Sequence, residues 1–293
     1  MKNILKKTSA TALCKTGLLS LGVRYSNRNL TILSLHRVVT ESEWSQSLYK
    51  PMMVTVGQFE SLLDMIHRHY HAVSLATAVQ QIRQGRKFKT GTVAITFDDG
   101  YLDVYQHAYP LLKAYDVPAT LFLTTGFIGS SSKYLWWDEV DYFCRTDGLT
   151  LPEFDASFST ELRMAAELMA RLPKTRTARI EAFIRSTLLG IPVEERNRFI
   201  EKLRSSIPVG AFRPQLMLSW DQVKEMSSLI EIANHTVNHR LLDELAGPEI
   251  QQEISTAKES IEQVTGKPCL GLAYPGGVYT ADVLDFAKKA GME

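Results

Sequence analysis

"TVAITFDDG" (92–100) is the stretch on which the fold turns. Residues 92–97 form a continuous apolar run with β-branched members, the pattern of a strand in a parallel sheet covered on both faces. Asp98 and Asp99 follow where that strand should end, and Gly100 follows them. Parallel α/β folds gather their chemistry at this C-terminal rim. Two uncompensated carboxylates there repel, and one tends to hold a proton. A cation removes the conflict: one aspartate ligates it and the other stays ionised as a base. A plain turn at Asp99-Gly100, with Asp98 capping the next helix, explains the same residues, and both readings stand at this point.

Outward from this strand, short apolar runs alternate with helical patterns. "LTILSLH" (30–36), "HAVSL" (71–75), "ATLFLT" (119–124), "LIEIAN" (229–234) and "CLGLAY" (269–274) read as further strands. Phe59, Leu62, Leu63 and Ile66 share helical spacing, and a helix is expected over 102–115. Over 248–265, Ile250, Ile254, Ala257, Ile261 and Val264 lie three and four apart before Gly266 stops the helix. "ADVLDFAKKAG" (281–291) is the last helix. This β–α order predicts an α/β fold with a parallel sheet or barrel. Residues 137–213 break the rhythm with helical patterns and no clear strand, and read as a helical insertion over one rim. About six strands are too few for an eight-stranded barrel, so the barrel is expected to be open, or the chain a shortened version of a longer one.

With 293 residues, 45% hydrophobic and 22% charged, the chain reads as an ordinary globular protein. A net charge of +1 gives no electrostatic case for a nucleic-acid partner. Cys14, Cys144 and Cys269 are widely spaced and odd in number, which argues against both disulfides and a cysteine zinc site. Residues 1–29 start basic and turn apolar, but Lys15 interrupts the run and no clean cleavage site follows. They read as an amphipathic helix ahead of a domain spanning 30–293, and on that ground the protein is expected in the cytoplasm. No run approaches a membrane span.

Three more strand ends carry chemistry. "NHTVNH" (234–239) puts His235 and His239 four apart, on one face if the segment is helical. Two imidazoles and a carboxylate leave positions open for water and substrate, the catalytic rather than the structural pattern for zinc. "AYPGG" (273–277) is a turn whose Gly276 N–H suits an oxyanion; Tyr274 is assigned to substrate binding. His36, at the end of the first strand beside Arg37, is a candidate general acid. Trp136, Trp137 and Asp138 border the insertion and are assigned to substrate binding: an aromatic face would stack on a sugar ring, and Asp138 would orient a neighbour, unless it merely caps a helix.

Taken together, "TFDDG" (96–100) and "HTVNH" (235–239) resemble the polysaccharide deacetylase family, a carbohydrate esterase group with a NodB-like homology domain. The resemblance runs from about residue 30 to the end. It implies an irregular (β/α)7-type barrel and one divalent metal ion, with Zn first and Co, Mn, Ni or Fe admitted. Asp99, His235 and His239 would ligate it, and Asp98 would be the base. "SLHRV" (34–38) is similar to the branch acting on exopolysaccharides and poly-N-acetylglucosamine, in which the acid histidine comes early; His36 inherits that role. The implied reaction removes N-acetyl groups from an amino-sugar polymer or oligosaccharide, and the family would suit an exported enzyme. One departure matters: the family arginine that holds the catalytic aspartate is replaced by Ala273. Two rivals stay open, an amidohydrolase for a small non-sugar amide and a shortened, non-catalytic glycan-binding chain.

Overall fold

The computed structural model describes residues 30–47, 50–145, 150–175, 186–208, 211 and 214–293. The amphipathic segment expected over 1–29 lies outside them. Among the described residues the strands are β1 (Thr31–Leu35), β2 (Arg37–Val39), β3 (Met53–Thr55), β4 (His71–Ala72), β5 (Thr92–Phe97), β6 (Ala119–Leu123) and β7 (Glu231–Asn234).

The expected parallel α/β sheet is present. β5 is its spine, with all six residues buried, as an uninterrupted apolar run requires. It pairs in parallel with β1 on one edge and β6 on the other, and β7 adds beyond β6. β4 pairs only with Thr92 and Val93 at the start of β5. β2 and β3 form a separate parallel pair. β1 and β7 are the outer strands and do not pair with each other among the described residues, so the barrel expectation holds in its coarser form, a parallel sheet with helices packed on it. The helix Val56–His69 buries Phe59, Leu63 and Ile66 and opens on a capping box between Thr55 and Gln58. The helix Gly247–Thr265 ends at Gly266 with φ of 66°, the left-handed stop that glycine permits.

Four boundaries differ from the sequence reading. Only His71 and Ala72 of 71–75 are strand, because Ser74 caps the next helix. Leu229 and Ile230 are taken by the turn closing the preceding helix, both donating to the Met226 carbonyl. Of 269–274, Leu272 alone bridges, to Asn234, before Pro275 turns the chain. The helix expected over 102–115 opens as a wide π turn, Val104–Ala108, ahead of Tyr109–Tyr115; Pro110 there offers no N–H for a regular ladder.

The insertion is helical, with Trp136–Arg145, Thr160–Thr175 and Val193–Ser205. It carries its own apolar cluster, including Val140, Phe158, Leu162, Phe199 and Leu203. Trp136 and Leu216 pack against both this cluster and the main core. Residues 176–185, part of the insertion expected to be helical, lie outside the described residues. No described helix is long and apolar enough to cross a membrane.

Candidate metal centre

The ends of β1, β5 and β7 converge with the 273–277 turn on one cleft of about 470 Å³. β5 delivers two carboxylates by a change of backbone hand. The Asp98 N–H still donates to the Leu35 carbonyl at 3.0 Å, extending the ladder. Asp99 then flips to φ of 75°, a strained value for a non-glycine residue. Its carbonyl is pinned by the Thr124 hydroxyl at 2.6 Å and the Thr124 N–H at 3.3 Å. Successive strand residues would point to opposite faces; the flip brings both carboxylates to the cleft.

The two histidines meet by a different route from the one expected. Residues 235–239 form a tight loop rather than a helix, with Thr236 at φ of 67° and His239 at 54°. Glu253, 4% exposed on the core face of the helix Gly247–Thr265, holds this loop. One oxygen accepts from the N–H groups of Val237 and Asn238 at 2.9 and 2.8 Å, the other from the Asn238 amide at 2.8 Å. Glu253→Ala strands those donors. The expected cost is about 2–3 kcal/mol of stability and about 10–100-fold in divalent-ion affinity, read by urea unfolding and competition with a chromophoric chelator.

Asp99, His235 and His239 bring one ligand atom each within 4.8 Å of one another. Both imidazole Nε2 atoms lie 3.6 Å from Asp99 Oδ1. His235 Nδ1 donates to the Ala273 carbonyl at 2.9 Å, since a carbonyl only accepts, so its Nε2 lone pair faces the cluster. Asp99 is fully buried, and neither carboxylate oxygen has a hydrogen-bond partner. An orphaned buried carboxylate costs several kcal/mol unless a cation answers it. Two imidazoles and a carboxylate are a donor set for a divalent transition metal. The residues fit the ion that the sequence resemblance implies.

Burial, with Asp98 and Asp138 adding to it, pushes the metal-free Asp99 carboxyl well above its usual range. Burial pulls His235 down, and it pulls His239 to about 3, with His235 adding to the effect. In the metal-free protein the histidines therefore favour folding above pH 6.5 and lose that contribution as pH falls toward about 3, because only the unfolded chain takes up their protons. Asp99 acts oppositely, since its folded form gains a proton first and stabilises as pH falls toward 3.8. His239→Gln should flatten the acid-side fall in Tm, and Asp99→Asn should steepen it, in metal-free thermal melts from pH 7 to 4.

Beside this cluster, Asp98 accepts from the Ser34 hydroxyl at 3.1 Å and lies 3.9 Å from His36 Nε2. His36 sits in the break between β1 and β2, where the chain passes from the main sheet to the small one. Burial lowers its pKa from the usual value, and Asp98 opposes the fall. With Ala273 in place of the expected arginine, Ser34 is the described donor to Asp98. Arg37 points elsewhere: its Nε donates to Asp103 at 2.7 Å and its guanidinium lies over the buried Tyr101 ring.

Trp136, Trp137 and Tyr274, the residues assigned to substrate, line the cleft together with Gly276, the residue assigned to the oxyanion. Trp137 also packs edge-on against His239 at 5.0 Å, and its Nε1 donates to the Tyr101 hydroxyl at 2.7 Å. Gly276 has φ of 67°, and a β-carbon there would meet Leu241 at 2.8 Å. Asp138 is the correction. It is buried behind the cleft, accepting from the Tyr101 hydroxyl at 2.8 Å, so it supports Trp137 through Tyr101 and does not line the cleft. Arg196, Ser34 and Glu253 are residues that sequence reasoning missed.

Comparison with known proteins bears on this geometry. The polysaccharide deacetylase model matches residues 85–153 and 177–293, more than half of the chain. The chain is 29% identical over 118 residues to the poly-beta-1,6-N-acetyl-D-glucosamine N-deacetylase of Staphylococcus aureus, a match covering 38% of this chain and 41% of that protein. It thus spans about two fifths of the length of such curated relatives. The fold is similar to that of the deacetylase PplD of Streptococcus pyogenes, solved in complex with acetate, with a TM-score of 0.56, 18% identity, and coverage of 89% of this chain and 80% of that one. IcaB from Ammonifex degensii is similar at a TM-score of 0.56 and 17% identity, over 90% of this chain and 81% of that one. At these identities the two structures speak for the fold, and the family match covers both strand ends that carry the clustered aspartate and histidines. The chain belongs to the polysaccharide deacetylase family.

Proposed function

We propose that the chain is a metal-dependent N-deacetylase acting on an N-acetylated amino-sugar polymer or oligosaccharide, with poly-N-acetylglucosamine as the nearest model substrate. The observation that carries this reading is the pairing of the Asp99, His235 and His239 cluster with a second carboxylate and an imidazole 3.9 Å apart in the same cleft. The relatives' named activity supports the substrate class.

Asp99, His235 and His239 would hold a divalent cation, with Zn first among Zn, Co, Mn, Ni and Fe, which would supply Lewis acidity and make water a usable nucleophile near neutral pH. Asp98, oriented by Ser34, takes the proton as water attacks the acetamide carbonyl. The Gly276 N–H stabilises the charge on the former carbonyl oxygen. His36 gives a proton to the departing nitrogen, releasing acetate and a free amino sugar. Trp136, Trp137 and Tyr274 supply the apolar walls on which a sugar ring stacks.

The test is acetate release from N-acetylglucosamine oligomers by protein reconstituted with each candidate metal. His36→Asn should lower kcat about 10²–10⁴-fold with metal content unchanged. Absence of acetate from every oligomer, with the metal bound, would count against the reading.

A further inference from the structure

The insertion sends one charged side chain into the cleft. Arg196 lies in the first turn of the helix Val193–Ser205 and is 8% exposed. Its guanidinium carbon stands 5.1 Å from the centre of the Trp136 ring. Nη1 makes one long bond, 3.4 Å, to the Leu188 carbonyl. Nε is buried and has no partner. Among the described residues no carboxylate lies within ion-pair distance of it; Glu244 acts on it only from farther away.

Arg37 shows what this chain does with a buried guanidinium when the partner is internal. Burial works against its charge, but Asp103, at 2.7 Å, and Asp138 more than offset that. Among the described residues Arg196 has no such answer, and burial lowers its pKa. An arginine still keeps its proton in a protein, so the charge stays. A buried, unpaired cation is costly, and partners that complete it strengthen binding markedly. Within the cleft, the ligated ion would compensate Asp99 and Asp98, leaving Arg196 as the uncompensated cation.

Its position also separates it from the proton-transfer groups. Its guanidinium lies over the Trp136 ring, whereas Asp98 accepts from the Ser34 hydroxyl at 3.1 Å and faces His36 Nε2 at 3.9 Å. Arg196 is therefore on the Trp136 side of the cleft, and among the described residues Ser34, not Arg196, donates to Asp98. The second apolar cluster beneath the helix, with Phe199 and Leu203, fixes its direction.

We infer that Arg196, backed by the face of Trp136, forms a subsite for an oxyanion carried by the glycan, a carboxylate or a phosphate ester on the sugar at or beside the reacting N-acetyl group. This makes the insertion a selector for anionic glycans, and it rests on the deacetylase reading above. The planar guanidinium fork matches either anion, and the tryptophan face holds it in plane.

Calorimetric titration of the metal-loaded chain with matched N-acetylglucosamine oligomers tests this without relying on turnover. One oligomer is neutral, one carries a uronic acid neighbour, and one carries a phosphate ester. At least one anionic oligomer should bind about tenfold or more tightly than the neutral one, as a charge-assisted pair implies. That advantage should shrink as salt rises. In R196M, which keeps the packing on Trp136, the ratio should fall to near one, and R196K should keep part of it. The salt series on the unaltered chain carries the test if either variant fails to fold. The tighter anion names the source. Equal affinity for neutral and anionic oligomers, or no binding of either anion, overturns the subsite. Acetate release, followed in the same samples, reports separately on the deacetylase reading: acetate with no anion preference removes the subsite alone, and an anion preference without acetate removes the reaction.

Discussion

Asp99→Asn should abolish divalent-ion binding and make the metal-free fold more stable. Both halves follow from the same carboxylate. Asp99 is fully buried, its two oxygens have no hydrogen-bond partner, and it faces two imidazoles at 3.6 Å. With the ion bound, the anion would be the charged member of the ligand set, and an amide neither neutralises a dication nor binds it comparably. Metal content should fall from about one ion per chain to under about a tenth after reconstitution and desalting. In the metal-free protein the ledger reverses. Asparagine carries no charge, so the penalty of a buried, unanswered carboxylate is relieved by about 1–3 kcal/mol near neutral pH. Elemental analysis and thermal melts on the same samples read the two effects. Asparagine that left the ion in place would rule Asp99 out as a ligand, and with it the three-residue cluster.

What could be read from the amino acids alone divides along physical lines. β5 was legible because an apolar, β-branched run has few other uses, and its ending in two aspartates marks a rim. His235 and His239 were legible by spacing, although a loop with two left-handed residues brings them together where a helix was expected. Spacing constrains which side chains meet, not the backbone path between them. The 269–274 segment misled because an apolar stretch reads as a strand whether or not a partner strand exists; here only Leu272 finds one. Glu253 was illegible because a carboxylate on the apolar face of a helix looks like a break in the pattern, and only the distant loop it holds explains it. Asp138 looked like a cleft residue beside two tryptophans, but a helix turns neighbours to different faces, and its own partner is Tyr101. Arg196 was hidden in "VEERNRF" (193–199), which reads as a solvated charged face until the cleft is seen above it.

Asp98→Asn should separate metal binding from chemistry. Asp98 lines the cleft but stands outside the ligand cluster, and Ser34 and His36 are its neighbours. The amide keeps the shape and cannot take a proton, so kcat for acetate release should fall about 10³-fold or more, while ion content stays near that of the unaltered protein. KM should move little, because the lost interaction belongs to proton transfer rather than to binding. Ser34→Ala makes the comparison sharper. Its hydroxyl donates to Asp98 at 3.1 Å, so its loss should cost about tenfold in kcat by letting the carboxylate wander. If Asp98→Asn lost the ion as Asp99→Asn does, the two adjacent aspartates would share one role. If it kept both ion and full turnover, the base would have to be sought elsewhere in the cleft. The proposed division of labour predicts neither: Asp99, turned by its strained backbone toward the histidines, would hold the ion, and Asp98, its N–H still bonded to Leu35 of β1, would take the proton.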